Sequence, residues 1–440
     1  MRNLIKTLAF FFTAFLLGLS ACQTQDLKKV AVQPNVILIM ADDLGYETIA
    51  CNGGTSYKTP YIDKLAKEGM RFEHCYAQPI CTPSRVKLMT GAYNVRNYIK
   101  FGLLDPKATT FANLFKGKGY ATCIVGKWQL GKNKNIYKHF GFDEACLWQH
   151  FRKRTGKEGR DTRFSNPRLE VNGEEVDYNN GEFGPDVVSD YACQFIEKNK
   201  DKPFLLYYPM ILTHCPFIPT PDSKDWDPKS FGSETYKGNA KYFGDMCQYM
   251  DKMVGKIVKK VDDLGLRENT IIIFTGDNGT DTPVVSMMGD RAVAGAKGTM
   301  IDAGNHVPLV VSWKGTFEGG RVTDTLVDFS DFLPTICEVA NVEVPQELEI
   351  DGQSFLPQLK GEKGHAREWV YVWYSMHGKM DKVKIFARNQ RYKLYATGEM
   401  YDIPNDYLEE KPLLDSQIDA GVKKSLQQAL DKYENARKIK

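Results

Sequence analysis

The sequence predicts an α/β fold: a large, mostly parallel sheet covered by helices on both faces, followed by a smaller C-terminal antiparallel sheet with a final helix. Continuous apolar runs, which are typical of strands buried on both faces, alternate along most of the chain with segments of helical period. After residue 350 the pattern changes to short segments of alternating polarity, which predicts the smaller sheet. A net charge of only +3, without zinc-finger spacing or a long basic run, excludes nucleic acid as the expected partner.

The first 21 residues predict a secretory signal peptide. Arg2 and Lys6 precede the apolar run Leu8–Leu19, which is too short to span a bilayer comfortably. The run leads into LSAC, which resembles a bacterial lipobox with Cys22 as the lipidated residue; ordinary signal cleavage nearby is the alternative. We therefore expect an exported protein, in the periplasm or at the cell surface and anchored by lipid to a bacterial membrane, with residues 22–33 as a linker.

The main domain is predicted over residues 34–345. It opens with a buried strand at NVILIMADD, from Asn35 to Asp43, and a helix follows at TPYIDKLAKEG, capped by Thr59 and started by Pro60. Apolar runs predict further buried strands at YATCIVGKW, FLLYYPM, NTIIIFTGDNG and VPLVVSW. Amphipathic patterns predict helices at DVVSDYACQFIEKN, NAKYFGDMCQYMDKMVGKIVKKVDDLG and LVDFSDFLPTICEVANV, and an apolar stretch predicts another after PICTPSR.

Residues 346–440 are predicted to form a C-terminal subdomain. Its strands are expected at EWVYVWYSM, VKIFARN, RYKLYAT and EMYDI, where polar and apolar residues alternate over a few positions. The last predicted element is a helix at AGVKKSLQQALDKYENARK. We expect this small antiparallel sheet and its helix to follow the large sheet in space as they do in sequence.

The ten cysteines show no paired CxxC framework. Most lie in apolar stretches such as ATCIVG and are expected to be buried small hydrophobic residues, although an exported chain could also form disulfides. Cys81 is the exception. It stands at the start of a predicted helix and four residues before Arg85, in PICTPSRVKLMTG, which places a thiol beside a fixed positive charge.

Oxygen-bearing side chains follow two of the predicted buried strands. Asp42 and Asp43 end the first strand, and Asp277 and Asn278 end NTIIIFTGDN in the same layout. Ligands of open α/β sheets bind beyond the carboxyl ends of the strands, so these four residues would form a site for a hard cation, calcium or magnesium. Helix capping and turn formation explain either strand end taken alone, but the repeated layout favours the metal site.

Several motifs, in this order along the chain, resemble those of the type I, formylglycine-dependent sulfatases of the alkaline-phosphatase-like superfamily. They are NVILIMADDLGY, CTPSR with LMTG, GKWQLG, THCPF, TGDNGT, GAKGTMIDAGNHVP and RYKLYATGEMYDI. The resemblance covers most of residues 34–410. It implies hydrolysis of sulfate esters by the domain over 34–345.

The resemblance also implies how the nucleophile and the metal are supplied. Cys81 would be oxidised by a formylglycine-generating enzyme to an aldehyde residue, whose hydrated form would attack the sulfur of the ester and later expel sulfate. One Ca²⁺ would lower the pKa of the attacking hydroxyl and polarise a sulfate oxygen. The implied metal ligands are Asp42, Asp43, Asp277 and Asn278, with residue 81 in contact.

Four further residues receive roles from the resemblance. Arg85 would orient the hydrated aldehyde as a fixed cation. Lys127 and Lys297 would bind the sulfate oxygens and stabilise charge in the transition state. His214 would bind sulfate or protonate the leaving alcohol, because a sugar alkoxide is a poor leaving group.

The sequence departs from the family at three positions. Gln129 in GKWQLG stands where the family usually has a histidine assigned to removing a proton as sulfate leaves. Glutamine keeps the hydrogen-bonding reach but cannot act as a base near neutral pH, so the proton acceptor is left open. Asp302 stands where glutamate is usual and His306 where arginine is frequent, and we expect both to shape the substrate pocket or its support.

The expected substrate is a sulfated polysaccharide or oligosaccharide, such as an algal galactan, a fucan or a host glycosaminoglycan. A loop rich in arginine and lysine, His150–Phe164, would attract a polyanionic glycan, with a merely solvated basic loop as the alternative. Four residues could stack on sugar rings, although packing in the core explains each of them better: Trp148, Trp373, Tyr374 and His377.

Two other functions stay open at this point. The first is a phosphodiesterase or phosphonate hydrolase that uses the same kind of metal site. The second is a catalytically inactive, surface glycan-binding lipoprotein, which Gln129 supports. The intact CTPSR motif, both lysines and the full set of expected metal ligands argue against the inactive protein.

Overall fold

The structure is a computed structural model of the 440-residue chain and describes residues 33–149 and 162–437. Its strands are β1 Asn35–Ala41, β2 Met70–Tyr76, β3 Ala121–Trp128, β4 Glu144–Gln149, β5 Arg168–Val171, β6 Glu174–Asp177, β7 Phe204–Pro209, β8 Thr270–Gly276, β9 Val285–Met288, β10 Arg291–Ala294, β11 Leu309–Ser312, β12 Arg321–Asp328, β13 Val370–Tyr374, β14 Lys384–Arg388, β15 Tyr392–Tyr395 and β16 Met400–Asp402. The four buried strands predicted after β1 are found as β3, β7, β8 and β11.

Ten of the described strands form one sheet in the order β12-β2-β11-β8-β1-β7-β3-β4-β5-β6. The central strands from β8 to β4 all run parallel, whereas β11 runs antiparallel between β2 and β8. At the other edge, β5 and β6 form an antiparallel hairpin that continues from β4. The predicted large, mostly parallel sheet is therefore confirmed.

Both faces of this sheet are covered, which explains why β1 reads as an unbroken apolar run. Successive side chains of a strand point to opposite faces. Along β1 the alternate residues accordingly pack into two separate hydrophobic cores, Val36, Leu38 and Met40 into one and Ile37, Ile39 and Ala41 into the other. Hydrophobic burial of this kind is the main driving force that holds a sheet between its helices.

The helices occupy both faces and the loops. They are α1 Pro60–Lys67, α2 Cys81–Thr90, α3 Asn94–Asn97, α4 Phe111–Gly117, α5 Ile136–His139, α6 Gly184–Lys198, α7 Phe243–Asp263, α8 Asp302–Asn305, α9 Phe332–Val339, α10 Leu356–Leu359 and α11 Ala420–Lys432. The helix predicted at LVDFSDFLPTICEVANV is correct only in its second half. Leu326–Asp328 instead completes the edge strand β12, and the capping side chain of Asp328 then turns the chain toward α9.

The C-terminal sheet has the predicted form. Four antiparallel strands follow in sequence order, β13-β14-β15-β16, and α11 packs against them. Residues 34–440 cluster as one compact unit, so the division at residue 345 stays a prediction. A two-stranded hairpin of β9 and β10 lies between β8 and α8 in the chain and was not predicted.

Several predictions fall partly or wholly outside the described residues. These are the signal peptide, Cys22 with most of its linker, and residues 150–161 of the basic loop. Within the described ranges, every cysteine is free and only Cys51 is not fully buried, as expected for small hydrophobic residues. None of the helices in those ranges is long and apolar enough to cross a bilayer.

Candidate active site

The carboxyl ends of four neighbouring strands bring the predicted residues to one edge of the sheet. β8, β1, β7 and β3 are adjacent and parallel. Asp277 follows β8, Asp42 follows β1, His214 lies in the loop after β7, and Lys127 is near the end of β3. The backbone N–H of Asp277 donates to the carbonyl of Ala41 at 2.9 Å, which keeps the first two strand ends in register. This is the edge at which open α/β sheets bind ligands.

Asp42, Asp43, Asp277 and Asn278 form one buried cluster. Asn278 Nδ2 donates to Asp43 Oδ1 at 2.9 Å, and the backbone N–H of Asp43 donates to Asp277 Oδ1 at 3.0 Å. Asp43 has a φ of 58°, a left-handed conformation that aspartate tolerates better than most residues. Asn278 Oδ1 is buried and has no hydrogen-bond partner among the described residues. An all-oxygen cluster with an unsatisfied oxygen fits a hard cation.

Cations balance this cluster. Each carboxylate faces one of them, at 2.6 Å between Lys127 Nζ and Asp42 Oδ2, 2.5 Å between Lys297 Nζ and Asp43 Oδ2, and 2.9 Å between Arg85 Nη2 and Asp277 Oδ2. The pKa of Asp277 is raised to about 7 by burial and by repulsion from Asp42, although Arg85 and Lys127 lower it. With all three carboxylates ionised, the three basic groups balance them, so a bound divalent cation would give the cluster a charge of +2 and make it attractive to an anion.

Cys81 opens α2 and lies beside the acidic cluster. Its sulfur and one oxygen each of Asp42 and Asp277 lie within 4.8 Å of one another. The residue is 2% exposed, and burial raises the pKa of its thiol. An unmodified thiol of raised pKa is a weak nucleophile near neutral pH. The geometry thus puts residue 81 beside two of the expected metal ligands, but the thiol itself is not activated there.

Sequence comparison decides the family. The model of the sulfatase family matches residues 34–342, and the model of the C-terminal region of N-sulphoglucosamine sulphohydrolase matches residues 296–436. Arylsulfatase A of Homo sapiens is 31% identical over 405 residues, which cover 83% of this chain and 75% of that protein. The chain belongs to the sulfatase family. It is a sulfuric ester hydrolase.

Solved structures agree with this assignment. The sulfatase resembles Ps i-CgsB in complex with k-i-k-neocarrahexaose, with 25% identity, a TM-score of 0.74 and coverage of 92% of this chain and 94% of that one. It also has the fold of the phosphonate monoester hydrolase of Agrobacterium radiobacter, with 21% identity, a TM-score of 0.69 and coverage of 92% and 95%. At 21% identity, this second likeness shows the fold alone.

In this sulfatase, Gln129 contacts residue 81 directly. Its Oε1 accepts hydrogen bonds from Cys81 Sγ at 2.8 Å and from Thr82 Oγ1 at 3.0 Å. Thr82 Oγ1 in turn accepts from the backbone N–H of Gly102 at 3.2 Å. The departure from the usual histidine therefore lies directly beside residue 81, where an amide can orient that residue but cannot take its proton.

Arg85 is held by two partners at the strand ends. Its guanidinium donates to Asp277 Oδ2 and, at 3.2 Å, to the carbonyl oxygen of Lys127, and the residue is 1% exposed. Both partners belong to the charge cluster. The described contacts therefore support Arg85 as a residue that positions Asp277 and β3, and its predicted contact with the hydrated aldehyde stays a prediction.

His214 lies between two cations. Lys297 Nζ is 3.2 Å from its Nε2, and Arg163 Nη1 is 2.9 Å from its Nδ1 and 2.5 Å from the carbonyl oxygen of Cys215. Burial, with the positive charges of Lys297 and Lys127, holds the pKa of His214 well below its ordinary value. Although burial opposes it, Asp43 holds the pKa of Lys297 well above its ordinary value. The imidazole is thus neutral and available to accept a hydrogen bond.

His306 and Asp302 pair with each other and with residues of neighbouring strands. The ring nitrogens of His306 lie 3.2 Å from Asp302 Oδ2 and 2.8 Å from the carbonyl oxygen of Glu73, and the ring stacks on Tyr46 at 4.2 Å. Asp302 also pairs with Arg388 of β14. The predicted role of both residues in the substrate pocket or its support, including substrate binding by His306, stays a prediction.

Three of the four candidate sugar-stacking residues belong to the core, whereas His377 is exposed, so its expected packing in the core is wrong. Trp148, Trp373 and Tyr374 are all less than 10% exposed, and Trp148 packs on Arg163 with 4.5 Å between the guanidinium and the ring. Because Arg163 also contacts His214, it belongs to the candidate site. The sequence indicated it only as one of several basic residues in a loop. Its distance of 51 positions from His214 left no local pattern that could single it out.

Proposed function

We propose that this sulfatase hydrolyses sulfate esters of polysaccharides or oligosaccharides with one Ca²⁺ and a formylglycine made from Cys81. The observation that carries the proposal is the position of Cys81 at the start of α2, beside Asp42 and Asp277 and within reach of Gln129. A helix start also favours negative charge near residue 81, as develops when sulfate is transferred. The chemistry that an aldehyde at position 81 would supply is a hydroxyl nucleophile with its own route for releasing sulfate.

Calcium is the proposed ion because the donor set consists of oxygens. Asp42, Asp43, Asp277 and Asn278 are buried together, and Asn278 Oδ1 lacks a hydrogen-bond partner among the described residues, as a ligand oxygen would in the absence of its ion. Positive charge supplied there would lower the pKa of a hydroxyl at position 81 and polarise a sulfate oxygen.

Lys127 and Lys297 are the proposed sulfate-binding residues. Their ammonium groups now pair with Asp42 and Asp43, the carboxylates that a calcium ion would share. The Lys127 side chain is buried and that of Lys297 is 12% exposed, and both ammonium groups border the carboxylates of the charge cluster, where donors would meet the oxygens of an ester sulfate. Arg85 holds Asp277 and the carbonyl oxygen of Lys127, which fixes the two strand ends that bind the ion and the anion.

Lys297 and His214 are the proposed source of the proton for the leaving alcohol. Lys297 Nζ and His214 Nε2 are 3.2 Å apart, so the ammonium of Lys297 would hold the proton and the neutral imidazole would orient it. Arg163 holds the other side of the imidazole through His214 Nδ1 and the carbonyl of Cys215. This arrangement fixes the ring so that Nε2 points toward the charge cluster.

The proposed substrate is a sulfated glycan, and the proposed partner is a formylglycine-generating enzyme that reads CTPSR. An oligosaccharide bound to the structurally similar Ps i-CgsB supports the glycan class. We also propose export and lipid anchoring at Cys22, on the strength of the N-terminal sequence alone.

The test is to express the chain with and without a formylglycine-generating enzyme and compare the two preparations. By mass spectrometry, we expect the peptide that contains residue 81 to be lighter in the first preparation alone, by the difference between a thiol and an aldehyde side chain. We expect only that preparation to release sulfate from fragments of sulfated galactan, fucan or glycosaminoglycan. An aldehyde-bearing protein that releases sulfate from no ester would favour the inactive glycan-binding protein.

A phosphonate or phosphodiester hydrolase is the second candidate, because the fold is shared with a phosphonate monoester hydrolase. Comparative kinetics on matched aryl sulfates, phosphodiesters and phosphonates separate the two. We expect kcat/KM to be highest for the sulfate ester, and a preference for the phosphorus esters would overturn the proposal.

A further inference from the structure

Tyr236 is an exposed aromatic residue beside the charge cluster. Its side chain is 63% exposed, which is unusual for so large an apolar ring. Surrounding protein nevertheless raises the pKa of its hydroxyl to about 12, and Lys297, Arg163 and Asp43 are among the charges that act on this hydroxyl. The ring therefore meets solvent while its hydroxyl end lies within the electrostatic reach of the active site.

The backbone around Tyr236 is fixed to the loops that carry the active-site residues. The backbone N–H of Phe217, three residues after His214, donates to the carbonyl of Lys237 at 2.8 Å. Lys237 Nζ lies 2.6 Å from Asp281 Oδ2, and Asp281 follows Asp277 by four residues. The backbone that carries the ring is thus tied both to the loop of His214 and to the loop of Asp277.

A glycine makes the first of these contacts possible. Gly238 has a φ of 66°, and a Cβ at this position would collide with the carbonyl oxygen of Phe217. The N–H of Gly238 donates to Thr235 Oγ1 at 3.1 Å, which closes a turn around Tyr236 and Lys237. The turn therefore presents the ring from a defined backbone.

Sugar rings present faces of C–H groups that pack on aromatic rings, and the tyrosine hydroxyl tolerates water at the edge of such a contact. Trp148, Trp373 and Tyr374 are buried and cannot offer a ring to a glycan. We propose that Tyr236 is a specificity-determining residue that stacks on the sugar ring carrying the sulfate ester while Lys297 meets the sulfate. This inference rests on the proposed function and names the cyclic sugar as the feature that the site selects.

Binding measurements can test the contact without turnover. The full chain, with calcium added and Cys81 unmodified, is titrated by calorimetry with fragments of sulfated galactan, fucan and glycosaminoglycan. The variants are Tyr236→Ala, Tyr236→Phe, which keeps the ring, and Tyr61→Ala. Tyr61 is a matched control, since it is 48% exposed but lies on α1, where its ring packs on Gly255 of α7.

We expect Tyr236→Ala to raise the Kd of the bound sulfated fragments about tenfold, the scale of one aromatic contact. Tyr236→Phe and Tyr61→Ala should bind like the wild-type protein, and ethyl sulfate, which has no ring, should not distinguish the variants. The proposal is overturned if Tyr236→Ala binds every fragment as tightly as wild type, if Tyr236→Phe is as weak as Tyr236→Ala, or if the wild-type protein binds no fragment.

The two proposals fail in different ways. If the aldehyde-bearing enzyme releases sulfate from none of these fragments but Tyr236→Ala still weakens their binding, the proposed hydrolysis fails and the stacking residue stands. If the enzyme is active and Tyr236→Ala leaves both Kd and KM unchanged, hydrolysis stands and the stacking residue is overturned.

Discussion

Two buried clusters of charge lie at the two ends of the segment Lys297–Asp302. In only one of them do the described residues themselves provide a partner for every buried polar side-chain atom. In the active-site cluster, three carboxylates crowd together and burial with their repulsion raises the pKa of Asp277 to about 7. Asn278 Oδ1 also lacks a partner among the described residues. Unsatisfied buried groups of this kind are costly to the folded protein and are commonly kept for a ligand.

The second cluster, which we call the clamp, consists of Lys393, Glu409, Arg388 and Asp302. Lys393 Nζ lies 2.8 Å from Glu409 Oε1 and also donates to the carbonyl oxygen of Met300, and Arg388 pairs with Asp302. Burial lowers the pKa of Lys393 to about 8, so its ammonium remains charged at pH 7. Charges are paired in both clusters, but among the described residues no buried polar side-chain atom of the clamp is left without a hydrogen-bond partner. The contrast separates a cluster built to receive a ligand from one built to hold a loop.

The largest effect expected from this contrast is on Cys81. We expect Cys81→Ala to lower kcat/KM by at least about 10⁴-fold, because it removes the residue from which the nucleophile is made. The melting temperature should stay close to that of the wild-type protein, since the small buried side chain is replaced by a smaller one. Sulfate release and calorimetric unfolding measure the two quantities. Substantial residual hydrolysis would contradict the assignment of residue 81.

The sequence was sufficient to predict the active-site cluster because its residues follow strands with strong signals. β1 and β8 are continuous apolar runs, and adjacent parallel strands bring Asp42 and Asp277 to one edge. Local pattern and tertiary position agree there. The same agreement holds for the four strands and the helix of the C-terminal sheet.

Other features could not be predicted, because no local pattern encodes them. The edge strand β12 alternates polar and apolar residues and then continues into an apolar run, which was assigned to the following helix. β2, MRFEHCY, contains charged residues and is too mixed for the pattern of a strand buried on both faces. Arg163 reaches His214 from a loop through a tertiary contact, for which sequence periodicity gives no signal.

The second prediction tests whether the active-site cluster awaits a cation. We expect Asp277→Asn to weaken calcium binding and to lower kcat/KM about 10³-fold, because the substitution removes one negatively charged ligand of the ion. Calcium should also raise the melting temperature of the wild-type protein but not of this variant. Calcium titration followed by calorimetry and by thermal unfolding measures both effects.

Asp251→Asn is the matched control for this experiment. Asp251 is likewise a buried aspartate whose pKa burial raises to about 7, but it accepts hydrogen bonds from the backbone N–H groups of Tyr61 and Ile62 at the start of α1. Its substitution should leave calcium binding unchanged. Equal calcium binding by wild type and Asp277→Asn would remove Asp277 from the ligand set.

The third prediction tests the clamp. Lys393→Met leaves Glu409 buried without its charged partner, and we expect the free energy of unfolding to fall by about 3 kcal/mol. The double variant Lys393→Met with Glu409→Gln should recover part of this loss, because no unpaired charge remains. Chemical denaturation of calcium-loaded protein measures the difference. If Lys393→Met is as stable as wild type, the clamp does not hold the segment.

The smallest effect concerns Gln129, which contacts residue 81 and is itself a position where the sequence departs from its family. Because Gln129 Oε1 accepts from both Cys81 and Thr82, it orients residue 81 but cannot take a proton from it. We expect Gln129→His to raise kcat about tenfold above pH 7 and to add a limb near pH 6.5 to its pH profile, since an imidazole can act as a base there.

Thr82→Val is the control, because it removes the other hydrogen bond to Gln129 without adding a base, and its profile should keep the wild-type shape. A Gln129→His profile that matches wild type would mean that proton removal does not limit turnover, and that position 129 serves only to hold residue 81 in place.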